Sequence, residues 1–314
     1  MKCLPTIYWL PKMHKSPSGA RFIIAGKYCT IKMLSKYITS VFKLFYKQIE
    51  CYHNKSHYFS GVKTLWVIQN NQPILENIEK INKRANAKRI TTYDFATLYT
   101  KIPHDKLIHV IREIIDFVFK GGTRDVISIN SSGIADWSSK RMGSCYFFTK
   151  AKIIEAVEYL INNCYFITGN KLFKQTIGIP MGSDPAPFLA NLFLFYYENR
   201  WLTEQRKAKN VVTRKFGNTF RFIDDLLAIN DGGAFEQYFR DIYPEELELK
   251  KENSTNDIAT FLDMDIRIVD GRFVTKLYDK RDNFGFNITK MPYKESNIPA
   301  NMFYFLVCLG SQLH

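Results

Sequence analysis

Residues 93–107 read YDFATLYTKIPHDKL, and they set one acidic residue, Asp94, between the β-rich run RITTYDF (89–95) and a helix. Pro103 at the helix start and Gly121 just past Lys120 bracket that helix. A strand that stops on a lone carboxylate presents it at a strand end rather than burying it mid-sheet. The pattern recurs in FRFIDDLLAIN (220–230), where two short apolar strands meet at Asp224 and Asp225. An Asp-Asp pair is usually a solvated turn, but apolar residues flank this one on both sides. Holding two like charges at the junction of buried strands is costly unless a cation neutralises them. If these strands are neighbours, Asp94, Asp224 and Asp225 converge as hard oxygen donors of the kind that suit Mg²⁺ completed by substrate phosphates. Two such ions about 3.5–4 Å apart can serve in-line phosphoryl transfer.

The rest of the chain reads outward from these points. Residues 1–30 form short strands about a turn at Pro17, Ser18 and Gly19. Apolar residues at three-and-four spacing predict a helix over 31–49, and a weaker pattern predicts another over 73–84. Residues 121–150 are rich in Gly and Ser without periodicity and read as an inserted loop. A helix over 150–163 precedes a hairpin turning at Gly169 and Asn170. A long helix follows, with Ser183 or Asp184 as its expected N-cap. Beyond the Asp224 turn, a helix over 234–242 leads into ATFLDMDIRIVDGRFVTKLYDK (259–280), read as a hairpin turning at Asp270 and Gly271. Strands mixed with helices in this order predict an α+β fold, a largely antiparallel sheet with helices on one face.

Composition narrows the partners. Forty-four Lys and Arg against thirty Asp and Glu leave a formal charge of +14, the footprint of a polyanion binder. The excess is uneven: residues 1–50 hold nine Lys or Arg and one acid, Glu50. The cysteines (3, 29, 51, 145, 164, 308) show no CxxC pair, as expected of thiols in a reducing compartment, so an intracellular place is expected. Cys51, His53 and His57 lack a fourth metal ligand at usable spacing, and their stretch reads as a polar loop. No secretory segment follows Met1, and FLANLFLFYY (188–197) is too short to span a bilayer, so no membrane partner is expected. The abrupt start MKCLPTIYWLPKMHK raises the expectation of an upstream part.

Taken in order, YDFATLY (93–99), GIPMGSDPAPFLANLFL (178–194) and FIDD (222–225) resemble motifs A, B and C of the reverse transcriptase palm. YWLPKMHKSPSGARFIIAG (8–26) resembles the fingers motif of these enzymes and ATFLDMDIRI (259–268) their FLD strand. The form LYTKIPHDKL and the MGS of motif B are most similar to Penelope-like retroelement reverse transcriptases, relatives of telomerase reverse transcriptase. The resemblance runs over about residues 4–290. It implies a right-hand polymerase fold, with fingers at 1–88, a palm at 89–290 and at most the start of a thumb at 291–314. The implied activity is RNA-directed DNA synthesis, using two Mg²⁺ ions (with Mn²⁺ an alternative), an RNA or DNA template with primer, and dNTPs. The nucleus is the expected compartment.

Carried over by position, the resemblance implies metal ligation by Asp94 and Asp224, with the Phe95 carbonyl assisting and Asp225 close by. Tyr99 falls at the sugar-facing gate, where the alternative is an ordinary core aromatic. Arg21 falls at the fingers arginine that grips the triphosphate. Lys12 and Lys15 would meet triphosphate or template, or remain solvated loop charges. Gly182 would let the backbone approach the base pair, and Met181 would make a more apolar template contact than the Gln found in many relatives. Lys250, with Lys251 as its rival, would protonate the pyrophosphate leaving group. Two rival functions stand beside this one: a catalytically idle nucleic-acid-binding scaffold, and an RNA-dependent RNA polymerase, for which Tyr99 is a poor fit. Oligomeric state is not legible.

Overall fold

A computed structural model of the chain describes residues 4–11, 20–120, 125–138 and 145–279. Lys12, Lys15, Cys3, Cys308 and the 291–314 segment lie outside the described residues.

The chain opens with an antiparallel pair, β1 (Thr6–Pro11) and β2 (Ala20–Ala25), in which Trp9 faces Phe22 and Leu10 faces Arg21. Helix α1 (Lys32–Ser60) runs well past the expected end, and Gly61 closes it in a left-handed conformation. The Cys51–His57 stretch is therefore its last turns and not a polar loop. His53 is buried there between the rings of Tyr52, Phe117 and Phe195, with Nδ1 2.7 Å from the Thr64 hydroxyl. Helix α2 (Gln72–Asn82) leads to β3 (Ile90–Phe95), a single turn α3 (Leu98–Lys101) and α4 (His104–Lys120).

Between α4 and α5 (Lys150–Asn162), the stretch read as an irregular loop carries a small antiparallel sheet, β5–β4–β6. Its strands are β4 (Val126–Ile129), β5 (Ala135–Ser138) and β6 (Tyr146–Thr149). Four-residue strands are too short to show a period against their polar turns, which is why the sequence concealed them. The sheet docks on α1, where the Ser40 hydroxyl donates to the Gly133 carbonyl at 2.6 Å.

The hairpin β7 (Tyr165–Thr168) and β8 (Lys171–Lys174) joins β1, giving a four-stranded sheet β2–β1–β7–β8. Helix α6 (Ala186–Lys207) begins after Pro185 with no side-chain cap. Ser183 and Asp184 are thus not caps. The Ser183 hydroxyl bonds the Pro180 carbonyl, and Asp184 accepts from Lys32 Nζ at 2.8 Å and Ser35 Oγ at 2.9 Å, pinning the start of α6 to α1.

The central sheet has the order β11–β3–β10–β9, antiparallel throughout, with β9 (Thr219–Phe222), β10 (Asp225–Ile229) and β11 (Leu249–Lys251). Helix α7 (Ala234–Ile242) lies between β10 and β11 in sequence. The final stretch forms three strands rather than two: β12 (Ile258–Phe261), β13 (Met264–Val269) and β14 (Arg272–Leu277). The run read as one FLD strand folds back at Leu262 and Asp263, both at positive φ (46° and 60°), the conformation of a tight two-residue hairpin.

Strand alternation then decides where the central sheet can carry charge. Tyr93, Phe95, Leu226 and Ala228 point to one face and join the main core with residues of α4, α6 and α7. Ile90, Leu227 and Ile229 point to the other face and pack with Ile74 and Ile78 of α2 and with Phe261, Met264, Ile266 and Phe273 of the β12–β14 sheet. Asp94 and Asp225 lie on this second face by the same alternation, at the end beyond that cover, and both are only partly buried. Both faces are thus covered, the second only at the end away from the carboxylates.

Candidate nucleotidyl-transfer site

The register of the central sheet places the acidic residues directly. Asp94 of β3 stands opposite Asp225 of β10 on one side and opposite Lys250 of β11 on the other. Opposed residues of an antiparallel pair project to the same face, so Lys250, Asp94 and Asp225 form a row across three strands. Asp224 sits in the two-residue turn between β9 and β10, and its carbonyl accepts from the Phe95 amide at 3.1 Å. Lys251, the rival of Lys250, pairs with Tyr93, and its Nζ donates to Asn256 Oδ1 at 2.8 Å. The Phe95 ring is buried edge-to-face against Tyr243, which leaves only its backbone at the site. Among the described residues no three His, Cys, Asp or Glu side chains are gathered closely enough to enclose a metal ion. The donor set is nonetheless of the right kind: three carboxylates at one end of the central sheet, all hard oxygens, two of them opposed across β3 and β10.

Tyr99, on the single turn α3, is half-buried and packs against the main core. Burial raises the pKa of its phenol, the Asp224 carboxylate raises it further, and the charges of Arg21 and Arg221 oppose them. The phenol therefore lies within electrostatic reach of both Asp224 and the exposed Arg21, which comes from a strand far away in sequence. Tyr99, Met181, Phe22, Ile24, Phe166 and Phe173 are among the residues that line one groove, of about 400 Å³. A second, of about 700 Å³, runs from Lys43 and Lys47 of α1 to Phe222 and Ile223 at the aspartate turn.

What joins these parts is the segment 177–182, and it does so through two glycines. Gly178 has φ +83°, and a Cβ there would lie 2.4 Å from the Tyr99 carbonyl, while the neighbouring Ile179 amide donates to that same carbonyl at 2.9 Å. Gly182 has φ +100°, and a Cβ there would lie 2.4 Å from the Ile24 carbonyl of β2. The Ile24 amide donates to the Met181 carbonyl at 2.8 Å. The close neighbour of Gly182 in this structure is the chain's own strand β2. Backbone meets backbone on both sides, and glycine is the residue that leaves room.

Sequence reasoning missed Gly178 and the buried pair Arg221–Glu198, whose Nε to Oε1 separation is 2.6 Å with both side chains fully buried. The signal was present, since Arg221 interrupts the apolar run FRFI and Glu198 interrupts the apolar face of FLANLFLFYYENRWL. Two lone charges in buried patterns call for each other.

No protein-family model and no curated protein matches the chain. Solved structures do. A telomerase from Candida albicans, in complex with the TWJ fragment of telomeric RNA, superposes with a TM-score of 0.57 at 12% identity, covering 90% of this chain and 48% of its own. The fold is a reverse-transcriptase-like polymerase fold. A telomerase from Candida tropicalis in complex with the same kind of RNA fragment gives 0.56 at 13% identity over 92% of this chain and 47% of its own, and an apo telomerase from that organism 0.55 at 13% over 86% and 47%. The chain spans about half the length of these telomerases. At such identities the likeness is one of fold.

Proposed function

We propose that the protein is a nucleotidyltransferase that extends a primer 3′-hydroxyl with dNTPs on an RNA template, a reverse transcriptase of the Penelope-like kind. The observation that carries the reading is the row Lys250–Asp94–Asp225, with Asp224 in the adjoining turn, at the uncovered end of an otherwise packed sheet. Asp94, Asp224, Asp225 and the Phe95 carbonyl would hold two Mg²⁺ ions, which when bound would activate the primer hydroxyl and offset charge on the leaving group. Around them the chain's own groups have distinct tasks. Arg21 meets the triphosphate, Tyr99 packs against the sugar, and Lys250 donates a proton to the departing pyrophosphate. Lys43 and Lys47 offer charge to phosphates along the groove that leads to Ile223. The formal charge of +14 supports a nucleic-acid partner in general.

The test is primer extension by the purified protein on matched RNA and DNA templates, with dNTPs or rNTPs, beside Asp224→Ala. Extension with dNTPs on RNA, lost in the variant, is expected. Template-primer binding with no extension in any Mg²⁺ or Mn²⁺ buffer would leave an idle scaffold. Equal use of rNTPs would make the product RNA.

A further inference from the structure

The turn that presents Asp224 is held in a conformation its own sequence disfavours. Ile223 has φ +55°, in the left-handed region that a β-branched side chain resists because its Cβ crowds the backbone. Strain of this sort persists only where surrounding structure imposes it. The surrounding structure here is the tight two-residue turn between the paired strands β9 and β10, together with one side chain that grips it. Arg221, fully buried, donates from Nη1 to the Ile223 carbonyl at 2.9 Å and to Asn191 Oδ1 at 2.8 Å. Its Nη2 donates to the Asn191 carbonyl at 3.2 Å and to Glu198 Oε2 at 3.1 Å, and its Nε donates to Glu198 Oε1 at 2.6 Å. All five N–H groups of the guanidinium are used, so its position is over-determined. Glu198 is held in turn by the Tyr243 hydroxyl, which donates to Oε1 at 2.8 Å. Asn191 and Glu198 lie two turns apart on α6, the helix that follows the Gly178–Gly182 segment.

From this geometry we infer that Arg221 is a positioning residue for the proposed reaction: braced by Glu198 and Asn191, it grips the Ile223 carbonyl and so sets where Asp224 stands relative to Asp94. The inference rests on the polymerase reading for its functional consequence, but its structural content can be read separately. The Asp224 carbonyl accepts from the Phe95 amide across the β3–β10 junction, so a turn that relaxes takes that acceptor away. A lysine cannot replace the arginine, having one nitrogen where the fork of the guanidinium reaches three partners.

Two sets of variants test it in the full chain. Arg221→Met with Glu198→Leu removes both buried charges together, which a core tolerates far better than removal of one. Arg221→Lys keeps the charge and loses the grip, and serves where the double variant does not fold. Both are expected to lower the kcat of primer extension at least 50-fold with the KM for dNTP and the Kd for template-primer within 3-fold of wild type. Hydrogen exchange at the Phe95 amide should quicken at least 10-fold while amides deep in α6 are unchanged. Adding Ile223→Asn, a residue that accepts the left-handed region, should restore at least 10-fold of the lost kcat and slow Phe95 exchange again. A merely stabilising arginine predicts no such rescue. Unaltered Phe95 exchange in the first variants, or no rescue by Ile223→Asn, overturns the inference. Wild-type protein that extends no primer sinks the polymerase reading instead, and the exchange measurement still decides whether Arg221 holds the turn.

Discussion

Replacing Gly182 by Ala tests whether the segment before α6 is locked to β2 by backbone contact. At φ +100° an alanine is strained whatever the space, at about 1–3 kcal/mol. The added Cβ would also meet the Ile24 carbonyl at 2.4 Å and Ile23 Cγ2 at 3.0 Å. Neither neighbour can retreat freely, because the Ile24 amide and the Met181 carbonyl are bonded at 2.8 Å. Relief therefore means breaking that bond, about 0.5–1.5 kcal/mol, or overpacking, about 1–3 kcal/mol. The expected destabilisation is about 2–6 kcal/mol, taken from the strain and the overpacked contact together. Gly169→Ala is the matched control: its φ is +56° and nothing lies within 4 Å of the added Cβ, so only conformational strain remains. The assay is urea denaturation of both variants and wild type, followed by circular dichroism at constant m-value. Gly182→Ala should lose about 1–3 kcal/mol more than Gly169→Ala, the share belonging to the contact. Equal losses would refute the claim that the two backbones touch because a side chain is missing.

Asp94→Asn is expected to lower primer extension at least 100-fold with a melting temperature within about 3 °C of wild type, since the residue is only partly buried at a sheet end; retained extension would remove Asp94 from the chemistry. Tyr99→Ala should lower the ratio of kcat/KM for dNTP over rNTP at least 10-fold, because a ring against the sugar rejects a 2′-hydroxyl by clash; an unmoved ratio would make Tyr99 packing alone. Burial first, and then the charge of Arg206, depress the His53 pKa to about 4 from 6.5. The unfolded chain then binds the extra proton between these values, so stability is complete above pH 6.5 and falls as pH drops toward 4, by up to about 3 kcal/mol. Urea midpoints across that interval check this, and His53→Gln should flatten the slope.

The placement of Asp94, Asp224 and Asp225 was legible in the chain because each depends on local pattern: an apolar run with a β period, a turn, and a carboxylate at the boundary. The helices over 73–84, 150–163 and 234–242 and the hairpin at Gly169 were legible for the same reason, since capping, turn chemistry and amphipathic spacing act within a few residues. Where a local rule failed, a distant partner had overridden it. Asp184 has the chemistry of a cap, yet it bonds Lys32 and Ser35 on a helix about 150 positions away in sequence. His53 looks polar in the string and is core in the fold, because Phe117 and Phe195 arrive from other helices.

The site itself belongs to the tertiary structure. Periodicity assigns Asp94 and Asp225 to strands, but only the pairing of β3 with β10 makes them face each other, and a one-residue slip would send one of them to the other side of the sheet. Nor does the sequence alone show that Gly182 faces Ile24, or that Arg221 reaches past its own strand to Ile223, Asn191 and Glu198. Such contacts cost little local preference and draw their strength from burial, where an unpaired charge or an overlapping atom is worth several kcal/mol. That energy exists only once the core has closed around the residues concerned, which is why the strand ends could be read from the chain and the grip that aims them could not.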